Sequence, residues 1–95
     1  MIDYKIIATN AFKKELKLIK KRNKDLMKLR ELIINLCTSN QLNSKYKDHL
    51  LINTNINNCR ECHIEPDWLL IYYAKDDKNK IIYLIETGSH SDLFK

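Results

Sequence analysis

The chain has 95 residues, 44% of them hydrophobic, which supplies one modest core and leaves no room for a second domain. Seventeen basic against twelve acidic residues give a formal net charge of +5, so an anionic partner is favoured, either nucleic acid or an acidic protein. No apolar run approaches the roughly 18 residues of a membrane helix, and Met1 to Tyr4 lead straight into a short apolar run containing Asp3; the expectation is a soluble, cytoplasmic protein that is not exported.

In chain order, residues 3–9 mix apolar and β-favouring types (Tyr4, Ile6, Ile7) and predict a short first strand. Thr9 or Asn10 can cap a helix in which Phe12, Leu16 and Ile19 recur at helical spacing, with Lys13, Lys14, Lys17, Lys20 and Lys21 on the remaining arc. Asn23 ends that helix or caps a second one, where Leu26, Leu29, Ile33 and Leu36 keep the period until the Thr38-Ser39-Asn40 cluster. From Gln41 to Asn58 periodicity is poor, and a loop with a weak extended segment at Leu50 to Asn53 is expected. Three strand-like runs follow, Cys59 to Glu65, Trp68 to Ala74 and Ile81 to Thr87, separated by a Pro66-Asp67 turn and a polar loop from Lys75 to Lys80. The sum is one α+β domain over residues 1–95: an N-terminal strand, a helical hairpin, then a three- to four-stranded antiparallel sheet. The helices cover one face and leave the other for a ligand.

Cys37, Cys59 and Cys62 are an odd number without a secretory leader, so reduced thiols are expected rather than a disulfide framework. Cys59-Arg-Glu-Cys62-His63 matches a haem-attachment pattern, but residues three apart on a strand face opposite ways. A zinc site with His49 or His90 is disfavoured because such cysteine pairs are carried on turns and a second pair is missing, and a redox pair because a strand rather than a helix follows. His49, His63 and His90 are the only histidines; convergence on one sheet face would suit proton transfer at neutral pH, since imidazole titrates near pH 6.5. The lysine-rich helix face reads as a solvated surface or as one that tracks phosphates. Among the aromatics, Phe94 lies beyond the sheet and is the best candidate to stack on a base.

Three blocks carry a resemblance: Tyr46-Lys-Asp-His49-Leu, Arg60-Glu-Cys-His63-Ile-Glu-Pro-Asp67-Trp68-Leu-Leu-Ile-Tyr72, and Thr87-Gly-Ser-His90-Ser-Asp-Leu-Phe94. Together with the lysine-rich hairpin before them they resemble the YafQ-like toxins, a branch of the RelE/ParE superfamily, over essentially the whole chain. The resemblance implies a RelE-like fold and a ribosome-dependent endoribonuclease that cuts mRNA without metal or cofactor. It also implies a cognate acidic antitoxin of the DinJ/RelB kind, with operator DNA met only through that antitoxin. Its functional positions fall on His49, His63, Asp67, Trp68, His90 and Phe94. On this reading His90 and His63 act as acid and base, Asp67 orients a histidine or serves as base, His49 contacts phosphate, and Trp68 and Phe94 contact RNA. One position departs from the family: two residues before Gly88, where an arginine is usual, stands Glu86. The missing positive charge is then expected from Arg60 or Lys47, or the toxin is slow. Rival expectations are a catalytically silent RNA- or antitoxin-binding homologue and a ParE-like topoisomerase poison.

Overall fold

A computed structural model describes residues 4–38, 42–51, 59–73 and 80–94. The chain runs through strand β1 (Lys5–Ala8), helices α1 (Asn10–Lys21) and α2 (Leu26–Thr38), a 3₁₀ turn (Ser44–Tyr46), strands β2 (His49–Leu50), β3 (Cys59–Glu65), β4 (Trp68–Tyr73) and β5 (Ile81–Gly88), and a short helix α3 (His90–Leu93). Thr9 starts α1 as expected: its side chain accepts the Phe12 N–H, while its hydroxyl donates to the Ile85 carbonyl at 2.6 Å. That one residue satisfies an orphan helix donor and ties the helix to β5. Asn23 takes a left-handed conformation with φ 59° and turns the chain out of α1, a conformation asparagine tolerates better than most residues. Asp25 then opens α2, its carboxylate accepting the Met27 N–H at 3.0 Å.

The sheet has five strands in the order β1-β5-β4-β3-β2: β2 to β5 form the expected four-stranded antiparallel sheet, and the expected N-terminal strand joins its β5 edge. β1 runs parallel to β5, with Lys5 opposite Ile81 and Ala8 opposite Leu84. The two-residue β2 closes the other edge, with His49 opposite Glu61. Of the extended segment expected at Leu50 to Asn53, only Leu50 belongs to a strand, and residues 52 and 53 lie outside the described residues, as do Ala74 and most of the Lys75 to Lys80 loop.

Alternation along the strands sorts the side chains between two faces. Cys62, Trp68, Leu70, Tyr72, Ile82 and Leu84 join Phe12, Ile19, Leu29, Leu32 and Leu36 in one core beneath the helices. β4 is buried on both faces, from Trp68 through Tyr72, which is why its sequence is an unbroken apolar run. Cys59 and Cys62 are buried strand residues that face opposite ways, and burial raises both thiols above their ordinary range. Among the described residues no helix is long and apolar enough to cross a membrane.

Trp68 departs from expectation. It has 0% exposure, its indole N–H donates to Thr87 Oγ1 at 3.0 Å, and that hydroxyl donates in turn to the Leu69 carbonyl at 2.7 Å. A ring sealed in the core cannot stack on RNA; it joins the site-bearing ends of β4 and β5. Replacing Trp68 by Phe keeps most of the packing but removes the donor to a buried hydroxyl, and is expected to lower unfolding free energy by about 1–2 kcal/mol. Trp68→Ala should cost about 3–5 kcal/mol. Denaturant unfolding checks both, and an unchanged Trp68→Phe variant would show that the indole bond contributes nothing.

Candidate functional site: a histidine and carboxylate cluster on the open sheet face

Residue parity brings the site together. On the sheet face turned away from the helices, the strand register aligns His49, Glu61, Ile71 and Glu86 in one row across four strands. The next row holds His63, Leu69 and Gly88. The turn after β3 carries Asp67, and α3 begins at His90 just beyond Gly88. The ring centroids follow one another at close intervals, His49 to His63 at 6.2 Å, His63 to His90 at 5.9 Å and His90 to Phe94 at 6.1 Å.

Each imidazole is held through Nδ1. His49 Nδ1 lies 2.7 Å from the Lys47 carbonyl, His63 Nδ1 3.3 Å from the Pro66 carbonyl and His90 Nδ1 2.9 Å from Asp67 Oδ1. Carbonyl and carboxylate oxygens only accept, so Nδ1 carries the hydrogen in each pair and Nε2 is left for other work. Lys47 presents its carbonyl from a left-handed conformation with φ 49°, a strained setting for a residue with a side chain. Asp67 also accepts the His90 backbone N–H at 3.0 Å, and these two bonds hold its carboxyl below the usual aspartate range, the backbone bond foremost.

Glu61 is the site residue that the sequence reading missed. Its carboxylate is almost fully buried and has Oε1 3.5 Å from Nε2 of both His49 and His63. The signal was present, because Glu61 and His63 are two apart on one strand and must share a face. One donor atom from each of His49, Glu61 and His63 lies within 4.8 Å of the others, a nitrogen and oxygen set of the type that takes a single transition-metal ion.

Of the residues expected at the site, His49, His63, Asp67, His90 and Phe94 converge, with Lys47 beside them. Arg60 does not. It lies between Glu61 and Cys59 on the helix-facing parity of β3, where its guanidinium holds Asp48 at 3.1 Å and Tyr72 donates to the same carboxylate at 2.8 Å. That pairing raises Arg60 above its ordinary range, the Asp48 hydrogen bond first among the causes, and leaves it unable to serve a phosphate on the other face. Glu86, by contrast, stands on the open face in the same row as Glu61, with Ile71 between.

α1 fixes the far end of the site. Glu15 and Arg22 are two helical turns apart on one stripe: Glu15 accepts the Thr87 N–H at 3.1 Å, and Arg22 donates to both Asp92 oxygens at 2.7 and 3.2 Å. Asp92 in turn closes a capping box with Ser89, so the turn carrying His90 is held from both sides. Burial pushes the Glu15 carboxyl up, while Arg22, followed by the Ser89 N–H, holds Asp92 far below its ordinary value.

Three imidazoles, with the Asp67 and Glu61 carboxylates, gather on the sheet face turned away from the helices, an arrangement of groups able to give and take protons near neutral pH. The chain belongs to the YafQ toxin family: the profile described as "Bacterial toxin of type II toxin-antitoxin system, YafQ" matches residues 4–95. It is 39% identical over 95 residues to the mRNA interferase toxin YafQ of Escherichia coli (strain B / BL21-DE3), covering 99% of each chain. Its structure is similar to YafQ in the Escherichia coli DinJ-YafQ complex, with TM-score 0.87, 37% identity, 98% of this chain and 100% of that one covered. It is also similar to a metal-bound toxin from Helicobacter pylori, with TM-score 0.85, 38% identity, and 99% and 100% covered.

The Asp92 clamp has a pH signature. A carboxylate whose folded pKa is depressed contributes stability that is present above its ordinary value of 3.8 and lost as pH falls through the lower folded value. Asp92→Asn is therefore expected to lower Tm by several degrees at neutral pH, with the gap to the unsubstituted protein closing below about pH 4. A gap that stays constant into acid would mean that the charge of Asp92 plays no part.

Proposed function

We propose that this chain is a ribosome-dependent endoribonuclease that cleaves mRNA by acid–base catalysis and is neutralised by a cognate acidic antitoxin. The observation that carries the proposal is the row of His49, His63 and His90, each steadied at Nδ1, on a face open to a polyanionic ligand. In the reaction the 2′-oxygen forms a bond to the adjacent phosphorus as the bond to the 5′-oxygen breaks. A base takes the 2′-hydroxyl proton and an acid gives one to the departing 5′-oxygen, leaving a 2′,3′-cyclic phosphate and a 5′-hydroxyl. His90 and His63 divide those tasks. Asp67 orients His90 as the carboxylate of a catalytic triad orients its histidine, Glu61 sets the Nε2 sides of His49 and His63, and His49 and Lys47 meet the phosphate. Phe94, about half exposed, stacks a base.

The partner follows from charge as well as kinship. A chain of net charge +5 suits an acidic segment that covers the site, and the Escherichia coli relative is seen with DinJ. Operator DNA is then met through the antitoxin, in the cytoplasm.

The test is primer-extension mapping of mRNA in a translating extract. Discrete cuts within codons are expected from the unsubstituted protein, and a loss of about 100-fold or more from His90→Ala or His63→Ala. No cuts by the folded protein would sink the nuclease reading in favour of a silent binder. Exchanging Glu86 for Arg replaces a repulsive charge with an attractive one near the reacting phosphate and should speed cleavage on the order of 10-fold; a slower Glu86→Arg variant would give Glu86 a positive role of its own.

A second reading is favoured by the mutual proximity of the His49, Glu61 and His63 donor atoms. These residues can hold one divalent transition-metal ion, and the relative from Helicobacter pylori is a metal-bound toxin. Because the ion would occupy nitrogens needed for proton transfer, binding is expected to inhibit. Zinc titration should broaden or shift the imidazole resonances of His49 and His63 before that of His90, and lower cleavage in step. Equal response of all three rings would argue for loose surface binding.

A further inference from the structure

A cavity of about 310 Å³ opens beside His63, lined by Lys45, Lys47, His63, Ile64, Glu65 and Pro66. We propose that it is a subsite for a nucleotide flanking the scissile bond, with His63 in its wall; the proposal rests on the RNA-cleaving reading of the neighbouring histidines. Its size is at the lower limit of ordinary small-ligand pockets, about 300 Å³.

The lining is divided in a way that suits a nucleotide. Lys45 and Lys47 stand exposed on either side of Tyr46, whose ring is buried in the core. Asn43 caps this 3₁₀ turn by accepting the Lys45 N–H at 2.9 Å, and the Lys45 ammonium lies 5.0 Å from the centre of the Tyr46 ring. The two cations are therefore presented by an anchored turn, so less ordering entropy is lost when they grip a phosphate. Ile64 and Pro66 supply the apolar surface that a base requires. The one carboxylate in the lining is already neutralised: Lys28 and Lys24 donate to the two Glu65 oxygens at 2.9 and 3.1 Å, holding its carboxyl below the usual range, with the Lys28 bond first among the causes. The cavity thus presents net positive charge.

His63 links this cavity to the catalytic row. Its ring lies in the wall, with Nδ1 turned to the Pro66 carbonyl and the His90 ring 5.9 Å away. His63 thus belongs both to the series of rings that ends at Phe94 and to the wall of this cavity, so one flanking residue would be held by an aromatic ring and the other by two lysines and an apolar floor. Contact with the base there would make this cavity a determinant of cleavage context.

The experiment uses the full chain with isotope-labelled isoleucine methyls and amides, titrated with a short single-stranded oligonucleotide carrying 2′-methoxy groups, which cannot be cut. The Ile64 methyl and the Lys45 and Lys47 amides should shift together with the His63 and His90 rings. Lys45→Ala should weaken binding to every sequence alike, with Tm unchanged, and reduce the slope of log affinity against log salt by about 1. Shifts confined to His90 and Phe94, no shifts at all, or an unaltered salt slope would overturn the subsite. Loss of cleavage in extract with the Ile64 shifts intact would instead count against the nuclease reading and leave the subsite standing.

Discussion

The hydrogen bond from the buried Trp68 indole to Thr87 is the constraint on which the site depends. It couples the first residue of β4 to the penultimate residue of β5, at the sheet edge where Asp67 leaves one strand and Gly88 leaves the other. With Thr87 opposite Leu70 and Gly88 opposite Leu69, the chain turns into α3 beside Asp67, which accepts both the backbone and the ring N–H of His90. Gly88 belongs to the same constraint. A Cβ there would lie 3.0 Å from the Asp92 Cβ and Oδ2, so a side chain would force away the residue that caps α3 and binds Arg22. Glu15 on α1 and Arg22 at its C-terminal cap brace this arrangement from the helix layer, joining the basic helix to the end of the sheet that bears His90.

The division of labour between the two sheet faces is equally a matter of register. His63 and Glu61 reach the open face because Cys62 enters the core and the half-buried Ile64 packs against its rim, and a one-residue slip of β3 would reverse the assignment of every side chain on it. The buried Cys62 thiol, the Arg60–Asp48–Tyr72 group and the doubly buried β4 all oppose such a slip. The irregularity between His63 and Glu65 in the β3–β4 pairing falls beside the Pro66 carbonyl that holds His63. Bulges at such positions re-aim side chains, and here the re-aimed group is an imidazole.

Much of this was legible in the sequence, and the parts that were not have a common cause. Phe12, Leu16 and Ile19, then Leu29 and Leu36, marked the helical faces that the core uses, and three of the strands fall within a residue of where alternation put them. The grouping of His49, His63, Asp67, His90 and Phe94 followed from resemblance rather than from spacing, since no local pattern brings residues of β2, β3 and α3 together. β1 was expected as a strand, but its parallel pairing with β5 joins segments some 76 positions apart, as Lys5 with Ile81, and leaves no local trace. Arg60 and Trp68 were misplaced for another reason. Both have chemistry that suits RNA, and residue type was weighed without asking which face of the strand each occupies. Applying the same alternation that excluded a cysteine pair would have put Arg60 opposite His63 and drawn Glu61 into the site.

Glu86 poses the sharpest electrostatic question, because a carboxylate stands on the open face where the resemblance led to the expectation of an arginine. It stands two strand spacings from Glu61, about 10 Å, with Ile71 between them. Across such a distance two unit charges interact by roughly 0.4 kcal/mol in bulk water and roughly 1.7 kcal/mol at an effective dielectric of 20, and salt at physiological strength screens much of that beyond about 8 Å. Under the proposed function, a phosphate at a similar distance from Glu86 would meet a repulsion of this size, which slows a reaction without abolishing it, since each 1.4 kcal/mol of barrier is about tenfold in rate. The imidazoles are anchored by the Lys47 and Pro66 carbonyls and by Asp67 rather than by Glu86. Under the proposed function, a carboxylate at position 86 therefore tunes the field over the site and leaves the imidazoles and their anchors as they are.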